Sequence, residues 1–257
     1  MTNPPPAPST VDNLASRTRL ARLPQPRHAI QRPVILALIT LAIGFTIKWD
    51  PQFRYAEFKT DLFLGRHHIP ALNAIALTIQ TLLSPIGILD ILIVVFLFLL
   101  LVKRSPVNAM AVVSVAGIGW LSSEVFKIVV AQPRPDQALL QNSLIAEGGT
   151  DSFPSGHTTF AVAFAVACYF LARHTRWSKV TLAGGILFVM VVGLSRLYLG
   201  VHYPSDILGS ILVAATTTSL VTVLWNKYAL SVFARIPLLD RFGPLPEPSA
   251  TAGKVQP

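Results

Sequence analysis

Apolar residues in this chain come in long blocks separated by short polar, proline-rich breaks. A helix needs about 20 mostly apolar residues to cross a bilayer. Six stretches approach that length: residues 33–49, 85–102, 107–130, 157–172, 180–199 and 205–225. The fourth is the shortest, at 16 residues. No soluble domain separates them, so the pattern predicts an all-α protein, a six-transmembrane helical bundle over residues 33–225. Between the first two spans, residues 69–83 are apolar with Asn73, Thr78 and Gln80 interspersed, and Pro70 and Pro85 bound them. This run is short for a span. It is expected as an interfacial or partly re-entrant helix, because a seventh span would put the two termini on opposite sides.

Composition agrees with that pattern. Only 13% of residues are charged, against about 25% in soluble domains, and the mean hydropathy is +0.57. The net charge of +9 does not indicate a nucleic-acid partner. The basic residues lie in loops between apolar runs and form no stripe with interleaved aromatics. A positive-inside topology accounts for them. Fourteen basic residues fall in one set of loops and tails, and seven fall on the other side. The richer side is expected to be cytoplasmic, with both termini inside, in a multi-pass protein of the plasma membrane.

Residues 1–32 are rich in Pro, Arg and Thr and lack the apolar core of a secretory signal. They are expected as a disordered basic tail, and residues 226–257 as a second, Pro-rich tail. Trp49, Trp177 and Trp225 lie near span ends, where interfacial rings are common. The lone Cys168 sits in an apolar run and is expected to pack as a small hydrophobe.

Three polar stretches interrupt the apolar frame, and the loop-charge count puts all three on the extracytoplasmic face. The first is Lys127 with Arg134-Pro135, the second Pro154-Ser155-Gly156-His157, and the third Ser195-Arg196 with His202 and Asp206. Ionisable residues this close to a bilayer are costly and usually functional. Lys127, Arg134 and Arg196 offer three cations to an anion, and arginine adds a planar fork that suits phosphate. Pro133 and Pro135 end the helix that carries Lys127 and fix the direction of Arg134. Ser155 and Gly156 precede an apolar run, so they are expected at a helix N-terminus, where free N–H groups and the dipole attract phosphate. His202 and Asp206 are four apart with Pro204 between them, a spacing that lets Asp206 reach back to His202. A carboxylate on one ring nitrogen makes the other a better nucleophile. His202 is therefore the expected nucleophile and His157 the expected acid, although spacing alone also permits the reverse.

The pattern Lys127-x6-Arg134-Pro135, Pro154-Ser155-Gly156-His157, Ser195-Arg196-x5-His202-x3-Asp206 resembles the three-part signature of the type 2 phosphatidic acid phosphatase superfamily. The resemblance extends over residues 33–225. It implies a lipid phosphate phosphatase that needs no metal or other cofactor. It makes His202 a nucleophile that forms a phosphohistidine, Asp206 its orienter and His157 the acid for the leaving oxygen. It makes Lys127, Arg134, Ser155, Gly156 and Arg196 the phosphate-binding set. Phosphatidic acid, phosphatidylglycerophosphate and polyprenyl pyrophosphate are the candidate substrates. A phosphotransferase using the same phosphohistidine, or a non-catalytic binder or transporter of lipid phosphates, are the alternatives.

Other polar residues have smaller expected parts. Glu124, three residues before Lys127, is placed to pair with it on one helix face. Asp90 lies inside the second span and is expected to face the bundle or water. His67 and His68 are adjacent and are expected in a solvated loop, not on a metal. His174 lies in a basic loop, and Asp151 in a loop or at the rim of the site.

Overall fold

The computed structural model describes residues 17–25, 27–140 and 142–241. These residues contain helices and no strand. The principal ones are α1 (Gln31–Trp49), α2 (Pro51–Gly65), α3 (Pro70–Leu82), α4 (Pro85–Leu97), α5 (Pro106–Val130), α6 (Gly156–Ala172), α7 (Ser178–Tyr198) and α8 (Pro204–Phe233). A π-helical turn, Phe98–Val102, prolongs α4. Among the described residues, five helices are long and apolar enough to cross a membrane: α1, α4 with its π-turn, α5, α7 and α8. The shorter apolar helices are α3 and α6.

Proline at the first helical position starts α2, α3, α4, α5 and α8. There its fixed φ suits the helix and its missing N–H leaves no bond unmade. Helix α2 was not foreseen from the sequence. Its signal is Asp50-Pro51, with the Asp50 carboxylate accepting from the N–H of Gln52 and Phe53 at 2.9 and 3.0 Å. That is a cap followed by a helix-starting proline.

Helix α8 is the axis. It packs against α1, α5 and α6, while α6 also packs on α5 and α7. It runs to Phe233, past the expected boundary at residue 225, because Trp225, Ala229 and Phe233 are buried on one face at four-residue spacing. Outside the core the helices present exposed Leu, Ile, Val and Phe, the surface that lipid covers in a membrane.

The expected N-terminal tail needs revision where it is described; residues 1–16 and 26 lie outside the described residues. Leu20 and Leu23 are buried. The backbone of Leu20 accepts from Trp225 Nε1 and donates to Asn108 Oδ1, and Leu23 exchanges two hydrogen bonds with Asn226. The segment therefore straps the ends of α5 and α8 together. Its two leucines supply the apolar area that its basic residues obscure. Trp225 is consequently a buried strap anchor and not an interfacial ring, unlike exposed Trp49 and Trp177. Residues 242–257 of the expected C-terminal tail lie outside the described residues. Asp90 lies on the exposed surface of α4, not toward the bundle.

Candidate active site

At the opposite end of the bundle from the strap, four chain segments meet around a cleft of ≈ 480 Å³. Lys127, Arg134, Gly156, His157 and His202 line it, with Gln80, Trp120, Glu124, Glu147 and Asp151 among the other walls. The three separate motifs are thus brought into one place.

Each motif owes its position to a helix end. Helix α5 stops at Ala131, which takes a left-handed φ of 50°, so Lys127 lies in its last turn. The connection that follows turns Arg134 across the cleft, anchored by Arg134 N–H on the Gly149 carbonyl at 3.0 Å. Ser155 caps α6, its hydroxyl accepting from Thr158 N–H at 3.5 Å, as expected. A Cβ on Gly156 would lie 3.5 Å from Lys127 Nζ and 3.7 Å from Ser123 Oγ, so the missing side chain keeps the helix N-terminus open to the cleft. Helix α7 ends in a glycine turn. Gly200 has φ of 66°, its N–H donates to Leu197 O at 2.9 Å, and Val201 N–H donates to Arg196 O at 3.2 Å. A left-handed residue there lets the chain reverse, and the reversal sets His202 between Arg134 and Asp206.

His202 Nδ1 lies 3.1 Å from Asp206 Oδ2. The same oxygen accepts from Ser152 Oγ at 2.5 Å and from Tyr203 N–H at 2.9 Å. The other ring nitrogen, Nε2, points the opposite way and lies 3.5 Å from Arg134 Nη1. Burial, with the positive charges of Arg134, Arg196 and Lys127, holds His202 well below the usual histidine range. That environment favours the neutral imidazole. His157 lines the cleft, and its Nε2 is buried without a protein partner.

The three cations are held in different ways. Lys127 pairs with Glu124 at 2.8 Å, the pairing expected from their spacing. Arg134 makes a fork to Asp151 at 2.9 and 3.0 Å and a third bond to Glu147 at 2.8 Å. Burial pulls Arg134 down, but these carboxylates outweigh it and hold the guanidinium above its ordinary range. The Arg134 hydrogen bonds hold Asp151 below the usual carboxylate range. Arg196 is fully buried and does not line the cleft; it donates to Gln80 Oε1 and to the Ala76 carbonyl.

Several residues of this network carry no motif. Gln80 on α3 links Arg196 to Glu147, donating to Glu147 Oε1 at 2.6 Å. Its signal was available, since Asn73, Ala76 and Gln80 share one helical face and all three meet α7. Asn73 accepts from Tyr198 Oη at 2.6 Å. Ser152 and Glu147 had no sequence signal, because only the folded α5–α6 connection brings them near the motifs. Behind Asp206, Glu57 of α2 accepts from Ser205 N–H and Oγ at 3.0 and 2.5 Å. Asp61, also on α2, is fully buried with neither oxygen paired. Burial, then the charges of Asp206 and Glu57, push it up to about 8.

His68 meets the Tyr198 carbonyl at 3.0 Å and His67 its own Phe63 carbonyl at 2.7 Å, so the pair is divided between two tasks. His174 is exposed. Among the described residues, no three His, Cys, Asp or Glu side chains group as a metal site needs.

Comparison with known proteins agrees with this geometry. A profile of the PAP2 superfamily matches residues 107–229, the stretch that contains all three motifs. Undecaprenyl-diphosphatase BcrC of Bacillus subtilis is 33% identical over 157 residues, 60% of this chain and 77% of that protein. The undecaprenyl-diphosphatase of Sulfolobus acidocaldarius is 30% identical over 184 residues, 70% of this chain and 85% of that protein. The crystal structure of a transmembrane PAP2-type phosphatidylglycerolphosphate phosphatase from Bacillus subtilis superposes with a TM-score of 0.64 at 25% identity, covering 77% of this chain and 98% of that one. Motifs, cleft and relatives together identify the chain as an integral membrane protein of the PAP2 superfamily.

Proposed function

We propose that this protein is a lipid phosphatase that removes phosphate from a prenyl diphosphate or a phospholipid monophosphate through a phosphohistidine on His202. The observation that carries the reading is the division of the His202 ring: Nδ1 faces Asp206 at 3.1 Å, and Nε2 faces the cation-lined cleft beside Arg134. A binder needs the cations but has no use for a neutral, oriented imidazole.

In the first step Nε2 attacks phosphorus and the bond to the leaving oxygen breaks. Lys127, Arg134 and the N–H groups at the start of α6 carry the charge on the equatorial oxygens, and buried Arg196 adds its field from beneath the cleft. His157 donates the proton to the leaving oxygen, and the phosphate dianion stabilises its protonated form until transfer. Asp206 takes up the charge that develops on the His202 ring. Water then attacks phosphorus and gives its proton to His157, the N–P bond breaks, and inorganic phosphate, neutral His202 and protonated His157 are regenerated. No step calls on a metal. Phosphate that occupies the Arg134 fork must displace Asp151, so binding is an exchange of anions.

A six-span frame, with α6 as the short fourth span and α3 at the interface, supports access from the lipid layer. The same frame and the loop charges favour both termini in the cytoplasm and the cleft outside. Prenyl diphosphate is the favoured substrate, because two relatives of which most of the length is matched are undecaprenyl-diphosphatases.

The test is phosphate release in detergent, with chelator present, from farnesyl diphosphate, phosphatidic acid and phosphatidylglycerophosphate. The expected result is turnover that His202→Ala lowers by about a thousandfold or more. Turnover retained in His202→Ala would overturn the nucleophile, loss on chelation would overturn the metal-free route, and no turnover on any substrate would favour the binder.

A further inference from the structure

Three hydrogen bonds converge on one oxygen, Asp206 Oδ2, and one of them comes from outside every motif. Ser152 Oγ lies 2.5 Å from Oδ2, the length of a charge-assisted O–H···O⁻ bond. The same hydroxyl is 3.5 Å from His202 Nδ1. Nδ1 must carry the proton that bonds Asp206, so the Ser152 hydrogen is left to the carboxylate. The residue is fully buried, and its backbone is pinned by Ser152 N–H on Gln132 O at 3.1 Å.

Its neighbour secures it further. The Phe153 ring is fully buried between α1 and α8, where a Cβ on Gly44 would come within 2.9 Å of it and one on Gly209 within 2.4 Å. Both glycines leave room for that ring. The wedge fixes Ser152 on one side of Phe153 and Ser155 on the other. The connection is tied to α8 again where Ser155 N–H meets Asp206 O at 3.4 Å.

We propose that Ser152 is a positioning residue for the phosphohistidine reaction: its hydroxyl holds Asp206 Oδ2 against His202 Nδ1 and favours the anion of Asp206 while charge develops on the imidazole. The inference rests on the phosphohistidine reading above. The charged and titratable groups acting on the pair are Arg134 and Glu147 from the α5–α6 connection, Lys127 from α5, His157 from α6, Arg196 from α7, Glu57 and Asp61 from α2, and neighbouring Tyr203. Substitution of Ser152 leaves all of them in place. Loss of the donor makes the carboxylate a poorer anion, so the pair takes up a proton at higher pH.

The test uses the full chain in detergent with farnesyl diphosphate as probe, or phosphatidic acid if only that is turned over. kcat and KM are followed against pH for the parent, Ser152→Ala, Ser152→Cys, Asp206→Asn and the double variant Ser152→Ala/Asp206→Asn. Ser152→Ala is expected to lower kcat about tenfold, with KM changed less than about twofold, and to move the acid limb up by about one pH unit. In the Asp206→Asn background the same change should cost less than about twofold, because residues acting as a unit are not additive. Ser152→Cys, nearly isosteric and a weaker donor, keeps the question open to measurement if Ser152→Ala does not fold; it should shift the limb in the same direction. An unmoved acid limb, or the full loss repeated in the Asp206→Asn background, would overturn the proposal. His202→Ala is measured alongside. Turnover there would sink the phosphohistidine reading itself, whereas an inactive His202→Ala with an unmoved Ser152→Ala profile would sink only the role of Ser152.

Discussion

The rim of the cleft and the buried layer beneath it, its floor, hold their arginines in opposite ways. At the rim, Arg134 is tied to carboxylates, and its fork partner Asp151 is 49% exposed. Lys127 beside it pairs with Glu124, which is 52% exposed. At the floor, Arg196 is fully buried and bound to an amide oxygen and a main-chain carbonyl. A carboxylate at the water's edge competes with phosphate and can be exchanged for it. A neutral partner orients a guanidinium and leaves its charge undiminished. On the proposed reading the rim grips and releases phosphate, while the floor supplies a constant field. The His202–Asp206 pair belongs with the floor, since its partners are a hydroxyl and a backbone N–H.

The sharpest way to break this comparison is to change each arginine to lysine, which keeps the charge and loses the fork. Arg196→Lys is expected to lower kcat about a hundredfold and to lower Tm, because it strands buried Gln80 and Ala76 oxygens. Arg134→Lys is expected to act mainly through KM, by about tenfold, with Tm nearly unchanged. Steady-state kinetics and thermal unfolding of the two variants decide it, and the reverse order would remove the distinction between floor and rim.

A smaller effect probes the exchange of anions. Asp151→Asn takes the competing charge off the Arg134 fork, so inorganic phosphate should inhibit more strongly, by about three- to fivefold in Ki. The effect is modest because the carboxylate is half exposed and its pairing is weakened by water. Inhibition of the parent and the variant at equal ionic strength checks this; an unchanged Ki would mean that Asp151 does not compete with phosphate.

The smallest expected effect is on stability. Asp61 ordinarily titrates near 3.8 and is pushed up to about 8 in the fold. As pH rises through that window the unfolded chain loses a proton that the folded chain keeps, so stability falls. His202 acts at the other end. Its lowered value means that the unfolded chain binds a proton below about 6.5 that the folded chain refuses, so stability falls as pH drops. Asp61→Asn should therefore raise Tm at neutral and alkaline pH, with little change near pH 4. An identical pH slope of Tm in parent and variant would count against a protonated Asp61.

Much of the helical layout was legible from apolar block length and proline, since both act locally. The motif residues were legible for the same kind of reason: His202 and Asp206 are four apart across a helix start, Ser155 caps a helix, and Glu124 lies one turn from Lys127. Helix α2 has mixed faces and no long apolar block, so Asp50-Pro51 at its start is its one local signal. The strap at residues 17–25 was hidden by its composition, because two buried leucines among arginines and prolines do not outweigh the basic average.

Sequence alone therefore determined the helical membrane frame, the three polar motifs at helix ends and the His202–Asp206 pairing, because helix ends and four-residue spacings are set without help from distant chain. Only the tertiary structure decided which arginine faces a carboxylate and which an amide, that Gln80 joins Arg196 to Glu147, and that Ser152 bonds Asp206. Those partners lie 13 to 116 residues apart. Proximity at such separations is set by how α3, α7, α8 and the α5–α6 connection pack, which no local pattern encodes.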